Sequence, residues 1–354
     1  MLERHKPLCA IVRGKISRFV SIGILSRRFC HGSSAMSTMM GQFITTPWIS
    51  TSPTSRVMFD VEGDNGLMLY NRYLPVELLV EIFCRADCKT LLTCQLVCKR
   101  WQMMIQKYVW HKKAEQTLGK AFPWHEDVPW SVFYFICKKQ PYERNLMKNH
   151  SGMEGMDYWT ITYNSGDCWT VEEPPAGVPE LPTTELMFKE RHTCFTTSFH
   201  TCIKEQSVDL VAEGIHPYVL DTMQPSITVS EWYSCRWDCP AIYQLKVRLL
   251  KDEKDTEVLD EFQFHDILEG DKQNKWLHVS HVFKNYGSGV RVITFEHGGK
   301  DRSYWAGHYG SKMAGACIFI EVPSNNFTCD NEDLLKQSKE RSTKRLPEVT
   351  KVIL

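Results

Sequence analysis

The 354-residue chain lacks any apolar run long enough to cross a membrane. A membrane-spanning helix needs roughly 20 consecutive apolar residues, and the longest early candidate, residues 19–25, is far shorter. Charge of one sign is not in excess, since 42 Lys and Arg residues balance 42 Asp and Glu residues. Domains that bind nucleic-acid phosphates are usually strongly basic. These absences exclude membrane insertion and argue against nucleic-acid binding.

Motifs for metals and nucleotides are also missing. The chain has 14 cysteines but no CxxC pair, although paired zinc ligands usually show such tight spacing. Its closest cysteines lie four residues apart, as small buried side chains on a helix often do. Neither GxxxxGK[ST] nor GxGxxG occurs, so no phosphate-binding loop is predicted. The sequence therefore predicts no metal and no cofactor, and reduced thiols in the cytoplasm.

The ends of the chain differ in composition from its middle. Residues 1–57 hold eight Lys and Arg residues against one acid, Glu3, which fits an unstructured extension, a later translation start or a mitochondrial leader. Residues 324–354 are rich in Lys, Glu and Ser, which is typical of a loosely ordered tail. We predict an extension, a helical module, a helical connector, a β-rich domain and the tail, at residues 1–69, 70–117, 118–140, 141–323 and 324–354.

The helical module shows the apolar spacing of three short helices. One face of the first helix carries Leu74, Leu78, Leu79, Ile82 and Phe83. Pro75 fits the first turn, where its missing N–H would be unpaired anyway, and Asp87 suits the N-cap of the second helix. The third helix carries Trp101, with Trp110 just beyond it. About 40 residues are too few to close a stable core, so the module packs on the rest of the chain or offers its apolar surface to a partner.

The order of these residues resembles the F-box. The shared positions are Leu74-Pro75, Leu78-Leu79, Ile82-Phe83, Leu91-Leu92, Gln95 to Lys99 and Trp101. The resemblance implies docking to the Skp-family adaptor, and through it to a cullin, in an SCF ubiquitin ligase. An apolar helical ridge that enters a partner's groove is a common mode of recognition. The implied adaptor-binding residues are Leu74, Pro75, Leu78, Leu79, Ile82, Phe83, Leu96, Val97 and Trp101.

Beyond Pro123 the pattern changes to short runs of β-forming residues separated by turn residues. The runs are 157–163, 168–172, 193–200, 207–212, 226–233, 242–250, 257–264, 276–283, 290–297 and 316–322. Several of them alternate between apolar and polar positions, as a half-buried strand does. Ten strands without long helices between them predict an antiparallel β-sandwich. With the three-helix module, the predicted fold class is α+β.

Three stretches of the β-rich region resemble the F-box-associated (FBA) domain. They lie within residues 141–155, 209–233 and 295–307. Together with the F-box, they make the chain similar to the sugar-binding F-box proteins, whose FBA domain is a ten-stranded sandwich. The resemblance implies a non-catalytic substrate receptor. Such a receptor binds the inner chitobiose of high-mannose N-glycans and selects misfolded glycoproteins, exported from the endoplasmic reticulum, for ubiquitination and degradation.

The resemblance assigns sugar binding to Phe199, Asp238, Tyr304 and Trp305. A sugar offers apolar C–H faces and a rim of hydroxyls, so its site needs exposed rings and a hydrogen-bond acceptor. Tyr304 and Trp305 lie in a glycine-flanked loop, where two adjacent large rings are hard to bury together. Phe199 would form a second aromatic wall, or else a core ring at a strand end. Asp238 would accept sugar hydroxyls, or else remain a solvated loop acid.

One departure from the family pattern leaves the ligand open. Relatives that bind glycans carry a lysine directly after the Tyr-Trp pair, whereas this chain has Ala306. The same loops could therefore recognise a non-glycosylated protein surface. A glycoside hydrolase is a third alternative, with Glu296 and Asp301 as its acids. Such an enzyme needs two carboxyl groups at a fixed separation with different pKa values, and the sequence does not distinguish these two from ordinary turn acids.

Overall fold

A computed structural model describes residues 66–69, 72–189, 191–252 and 257–324. The predicted extension therefore lies outside the described residues apart from 66–69, and the predicted tail apart from residue 324. The chain divides into two compact units, with the boundary between Gly119 and Lys120. No helix in the described ranges has the length and apolar character needed to cross a bilayer. The two units are described separately below.

The described part of the first unit contains a short antiparallel ladder and four α-helices. The elements are β1 (Met68–Leu69), β2 (Arg72–Tyr73), α1 (Val76–Cys84), α2 (Cys88–Cys94), α3 (Lys99–Met104) and α4 (Trp110–Leu118). A π-helical turn, Ile105–Val109, joins α3 to α4 without a break. The third predicted helix thus continues through Trp110, which the sequence placed just beyond it.

The ends of these helices follow from their sequence. The Asp87 carboxylate accepts a hydrogen bond from the Thr90 backbone N–H at 3.0 Å, which confirms Asp87 as the N-cap of α2. Pro75 directly precedes α1. Helix α4 ends at Gly119, whose φ of 71° lies in the left-handed region that glycine adopts without strain. Inside the unit, the rings of Phe83 and Trp101 meet edge to face at 4.9 Å.

The second unit is the predicted antiparallel sandwich, with five strands in each sheet. One sheet has the order β10-β7-β12-β5-β4, and the other has the order β3-β6-β11-β8-β9. The strands are β3 (Thr160–Asn164), β4 (Thr170–Glu172), β5 (Cys194–Thr196), β6 (Cys202–Asp209), β7 (Ile227–Ser234), β8 (Ala241–Leu250), β9 (Val258–Leu268), β10 (Leu277–Phe283), β11 (Val292–Asp301) and β12 (Lys312–Ile320). The α+β class is confirmed.

The strand predicted at 207–212 differs most from the structure. Strand β6 starts at Cys202 and stops at Asp209. The Asp209 carboxylate accepts hydrogen bonds from the backbone N–H groups of Val211 and Ala212, at 2.8 and 2.9 Å, and so starts the short helix α6 (Leu210–Glu213). A carboxylate that satisfies free N–H groups favours a helix over a continued strand. Helix α5 (Trp130–Lys139) lies in the predicted connector.

The core lies between the sheets and follows from alternating side chains. Strand β8 buries Ala241, Tyr243, Leu245, Val247 and Leu249, while the side chains between them are half-buried. This period of two is what a sheet with one buried face requires.

Five connections cross from one sheet to the other at the same end of the sandwich, as the strand registers show. We call this end the loop end. It is formed by the connections after β3, β5, β7, β9 and β11, which are residues 165–169, 197–201, 235–240, 269–276 and 302–311.

Candidate functional site

The helical unit buries some of the predicted adaptor-binding residues. Leu79, Phe83 and Trp101 lie inside the unit. The Trp101 indole N–H donates a hydrogen bond to the Gly66 carbonyl at 2.6 Å. These three side chains therefore pack inside the unit and hold its helices in place.

The other predicted adaptor-binding residues reach the surface. Pro75, Leu78, Leu96 and Val97 are exposed, and Leu74 and Ile82 are half-buried. Leu96 is 72% exposed and Leu78 is 54% exposed. Exposed apolar side chains that cluster on one small unit mark a partner surface more often than chance. The unit also exposes five large apolar residues that the sequence analysis did not assign to docking, which are Met68, Tyr73, Val76, Met103 and Tyr108.

At the loop end, Asp301 positions the two adjacent aromatic residues. Its buried carboxylate accepts hydrogen bonds from the backbone N–H of Tyr304 at 2.6 Å and of Trp305 at 3.2 Å. Tyr304 adopts a φ of 55°, in the left-handed region that non-glycine residues seldom enter. This turn directs both rings outward, and 62% of Tyr304 and 45% of Trp305 is exposed. Neither ring fills the core.

Hydrogen bonds tie three loops of this end together. The Asp167 backbone N–H donates to Ser198 Oγ at 2.8 Å, and the Ser198 hydroxyl donates to the Gly307 carbonyl at 3.1 Å. The Gly307 N–H in turn donates to Asp167 Oδ2 at 2.5 Å. Gly310 packs closely on the same loops, because a Cβ there would come within 2.2 Å of Thr197 Oγ1. The aromatic loop is thus fixed by its neighbours.

Phe199 contacts the aromatic pair through a residue that the sequence did not single out. Its half-buried ring lies 4.9 Å from the ring of His200, measured between centroids. His200 meets Tyr304 nearly edge-on at 6.0 Å. The three rings form a row from the connection after β5 to the connection after β11. His200 follows Phe199 directly in the chain, but nothing in the sequence indicates its contact with Tyr304.

Asp238 is linked to the pair by a second series of contacts. Both of its oxygens accept hydrogen bonds from the Arg236 guanidinium, at 2.8 Å each. These bonds hold the pKa of Asp238 below its ordinary value, so the carboxylate stays ionised and can only accept. Arg236 Cζ lies 4.6 Å from the centroid of the Tyr309 ring, which meets Trp305 edge-on at 5.5 Å. Asp238 therefore connects to Trp305 through Arg236 and Tyr309.

Two series of contacts thus connect the four predicted sugar-binding residues. One links Phe199 to Tyr304, the other links Asp238 to Trp305, and Tyr304 and Trp305 are adjacent in the chain. One further basic group lies beside Tyr304, because Lys300 Nζ is 5.9 Å from the centroid of the Tyr304 ring.

The two acids of the hydrolase alternative, Glu296 and Asp301, have different hydrogen-bond partners. Glu296 bonds Arg248 at 3.3 Å, while both Asp301 oxygens accept backbone N–H groups. Within the described ranges, no group of three acid, His or Cys side chains could hold a metal ion.

Comparisons with known proteins cover both units. Residues 72–116 match a family model described as F-box-like, and residues 137–320 match one described as F-box associated region. F-box only protein 44 of Mus musculus is 37% identical over 255 residues, which are 71% of this chain and 96% of that protein. F-box only protein 6 of Homo sapiens is 37% identical over 70% of this chain and 83% of its own length. F-box only protein 2 of Bos taurus is 37% identical over 73% of this chain and 87% of its own length.

Proposed function

The chain belongs to the F-box proteins that carry an F-box-associated region, and from this premise we propose that it is the substrate-recognition subunit of an SCF-type ubiquitin ligase. In this proposal the helical unit docks the Skp-family adaptor, which connects it to a cullin. The observation that supports docking is the exposure of Leu78, Leu96 and Val97 beside a buried Phe83 and Trp101. The unit is ordered inside and apolar outside, as a docking module needs to be.

The proposed ligand of the sandwich is the chitobiose core of high-mannose N-glycans on misfolded glycoproteins in the cytoplasm. The single observation that carries this proposal is the exposed pair Tyr304 and Trp305, fixed by Asp301 at the loop end. Two rings on a fixed backbone can stack on the apolar faces of a sugar with little loss of side-chain freedom. Asp238 supplies ionised acceptor oxygens for hydroxyl groups.

A second candidate is recognition of a non-glycosylated protein surface by the same loops. The specific observation in its favour is that Arg236 already occupies both Asp238 oxygens. Each oxygen keeps further lone pairs, but a carboxylate in a bidentate pair is less available to sugar hydroxyls than a free one.

The proposed role is non-catalytic. The chain forms no bond to ubiquitin, and it accelerates transfer by holding the client near the ligase. Tethering raises the effective concentration of the client, which can strengthen or speed a later step without any new contact at the reacting atoms. This mechanism needs two separate surfaces, one for the adaptor and one for the client.

The decisive experiment measures binding of a denatured glycoprotein before and after enzymatic removal of its N-glycans. We expect deglycosylation and Trp305→Ala each to abolish capture by the full chain in complex with its adaptor. Thermal stability should change little, because an exposed ring adds little to folding, whereas truncation of a core Trp typically costs about 3–5 kcal/mol. Trp124→Ala is the matched control, since Trp124 is also half exposed but lies outside the loop end. Equal binding with and without glycans would support the peptide candidate.

A further inference from the structure

A third exposed aromatic residue lies at the loop end, in the connection between β7 and β8. Trp237 is 65% exposed. Its backbone is held on both sides, because its N–H donates to the Gly177 carbonyl at 3.1 Å and its carbonyl accepts from Gln273 Nε2 at 3.2 Å. Single exposed apolar residues are common on protein surfaces, and they indicate a binding site only where they continue a larger ligand surface.

The loop that carries Trp237 is continuous with the surface of the aromatic pair. Trp305 contacts Tyr309, and Tyr309 stacks against the Arg236 guanidinium at 4.6 Å. Arg236 is also packed against Gly177, where a Cβ would come within 2.9 Å of Arg236 Cζ. The next residue in the chain is Trp237. A row of packed groups therefore leads from Trp305 to the base of the exposed ring.

We infer that Trp237 is a second stacking platform, which takes a sugar unit beyond the chitobiose held by Tyr304 and Trp305. This inference rests on the proposed function and makes the ligand an oligosaccharide longer than a disaccharide. Arg236 and Asp238 lie on either side of Trp237 in the chain, and the Arg236 guanidinium donates to both Asp238 oxygens. The two charges neutralise each other, which suits an uncharged ligand better than an acidic or basic peptide.

A second platform changes the dependence of affinity on ligand length. A ligand that reaches both platforms binds as one molecule at two linked sites, so the second contact adds to the first at a high effective concentration. A disaccharide that occupies only the first platform gains nothing. We expect the second ring to contribute about fivefold to tenfold in affinity, in the range of a favourable aromatic contact.

The test compares two ligands on the full chain in complex with its adaptor, by calorimetry. The probes are chitobiose and a high-mannose oligosaccharide that contains it. For Trp237→Ala we expect unchanged chitobiose affinity and a fivefold to tenfold loss for the longer oligosaccharide. Trp237→Phe should recover most of that loss, because it keeps a flat ring. Trp124→Ala should change neither affinity.

Three results would overturn the inference. An equal loss for both ligands would mean that Trp237 supports the first platform, and no loss for the longer ligand would mean that it stacks on nothing. Loss of binding to a deglycosylated, denatured protein would assign Trp237 to polypeptide recognition. The proposed function fails separately, if the unaltered chain binds neither chitobiose nor the longer oligosaccharide. If the unaltered chain binds both and Trp237→Ala changes neither, only the inference is wrong.

Discussion

In most proteins apolar side chains are buried and charged side chains are exposed. The two units depart from this pattern in opposite ways. The helical unit leaves apolar side chains such as Leu78 and Leu96 in water, while the sandwich buries charged ones such as Lys204, Glu231 and Lys312. An exposed apolar side chain remains available for contact with a partner protein. A buried charge is tolerated only when its partners lie inside the same fold. The comparison teaches that the first unit keeps an apolar surface for a partner, whereas the interior of the second unit supplies the partners of its own charged groups.

Glu231 is the centre of the buried polar group in the sandwich. Its oxygens accept hydrogen bonds from the Tyr243 hydroxyl at 2.6 Å and from His297 Nδ1 at 2.7 Å. Nearby, the ammonium of Lys204 lies 4.6 Å from the centroid of the Trp159 ring. Burial lowers the pKa of Lys204 well below its ordinary value and also lowers the pKa of His297, while the Glu231 charge opposes both shifts. The Glu231 carboxylate therefore offsets part of the cost of burying Lys204 and His297.

Removal of that carboxylate should produce the largest effect. Glu231→Ala leaves His297 and Tyr243 without their acceptor in a dry interior, and breaking such a buried pair typically costs about 3–5 kcal/mol. We expect a large fall in the urea midpoint of the sandwich. Glu296→Ala is the matched control, because its half-buried pair with Arg248 should contribute less than about 1 kcal/mol. Similar losses for the two variants would show that the interior does not depend on Glu231.

The adaptor surface should give the next largest effect. The double variant Leu78→Ala with Leu96→Ala should weaken adaptor binding by about 2 kcal/mol or more, with unfolding of the chain little changed. Isothermal titration with purified adaptor measures the first quantity and thermal denaturation the second. Leu186→Ala is the control, since Leu186 is 88% exposed but belongs to the sandwich. If this control weakens adaptor binding as much as the double variant, the helical unit does not carry the docking surface.

Acid should destabilise the sandwich through two buried histidines. Burial lowers the pKa of His150 and of His216 to about 4. The unfolded chain binds these protons near pH 6.5, and the folded chain only near pH 4, so stability falls as the pH drops through this window. Each histidine should lower the free energy of unfolding by about 1–2 kcal/mol between pH 6.5 and pH 5. Urea unfolding at both pH values measures this difference in stability.

A substitution separates this effect from general acid sensitivity. The backbone N–H of Tyr218 donates to His216 Nδ1 at 3.1 Å, so the ring is held neutral. His216→Asn keeps an acceptor nearby but cannot titrate, and we expect it to reduce the difference in stability between the two pH values. The exposed His192 is the control. If His192→Asn reduces the difference equally, burial of His216 is not the cause.

The smallest expected effect concerns Ala306, the position where the chain departs from the family pattern. Ala306→Lys would add an ammonium beside Trp305, and a charged hydrogen bond contributes about 1.5–3 kcal/mol before up to about 2 kcal/mol of lost side-chain entropy. We expect about a threefold higher affinity for chitobiose by calorimetry, and no gain for Ala306→Met. Unchanged affinity in Ala306→Lys would favour the peptide candidate.

The strands were predictable because their pattern is local. The alternation in residues 290–297 is a property of neighbouring residues, and it correctly located most of β11. The end of β6 was misjudged because Val208 and Val211 are β-forming residues, and the capping bonds of Asp209 outweigh their preference. The roles of His200 and Tyr309 could not be predicted. The contacts of His200 with Tyr304 and of Tyr309 with Arg236 join different loops, and those distances depend on the register of strands far apart in sequence.

The bonds from Asp301 to Tyr304 and Trp305 also have a consequence for the speed of recognition. A binding loop that is ordered only by its ligand must first reach the competent shape, and that step slows encounter. Here the loop that carries Tyr304 and Trp305 takes its shape when the chain folds, so its conformational entropy is lost on folding and not on binding. Encounters with different clients should therefore succeed at similar rates. How long each client stays on the receptor then decides which of them is held until ubiquitin is transferred.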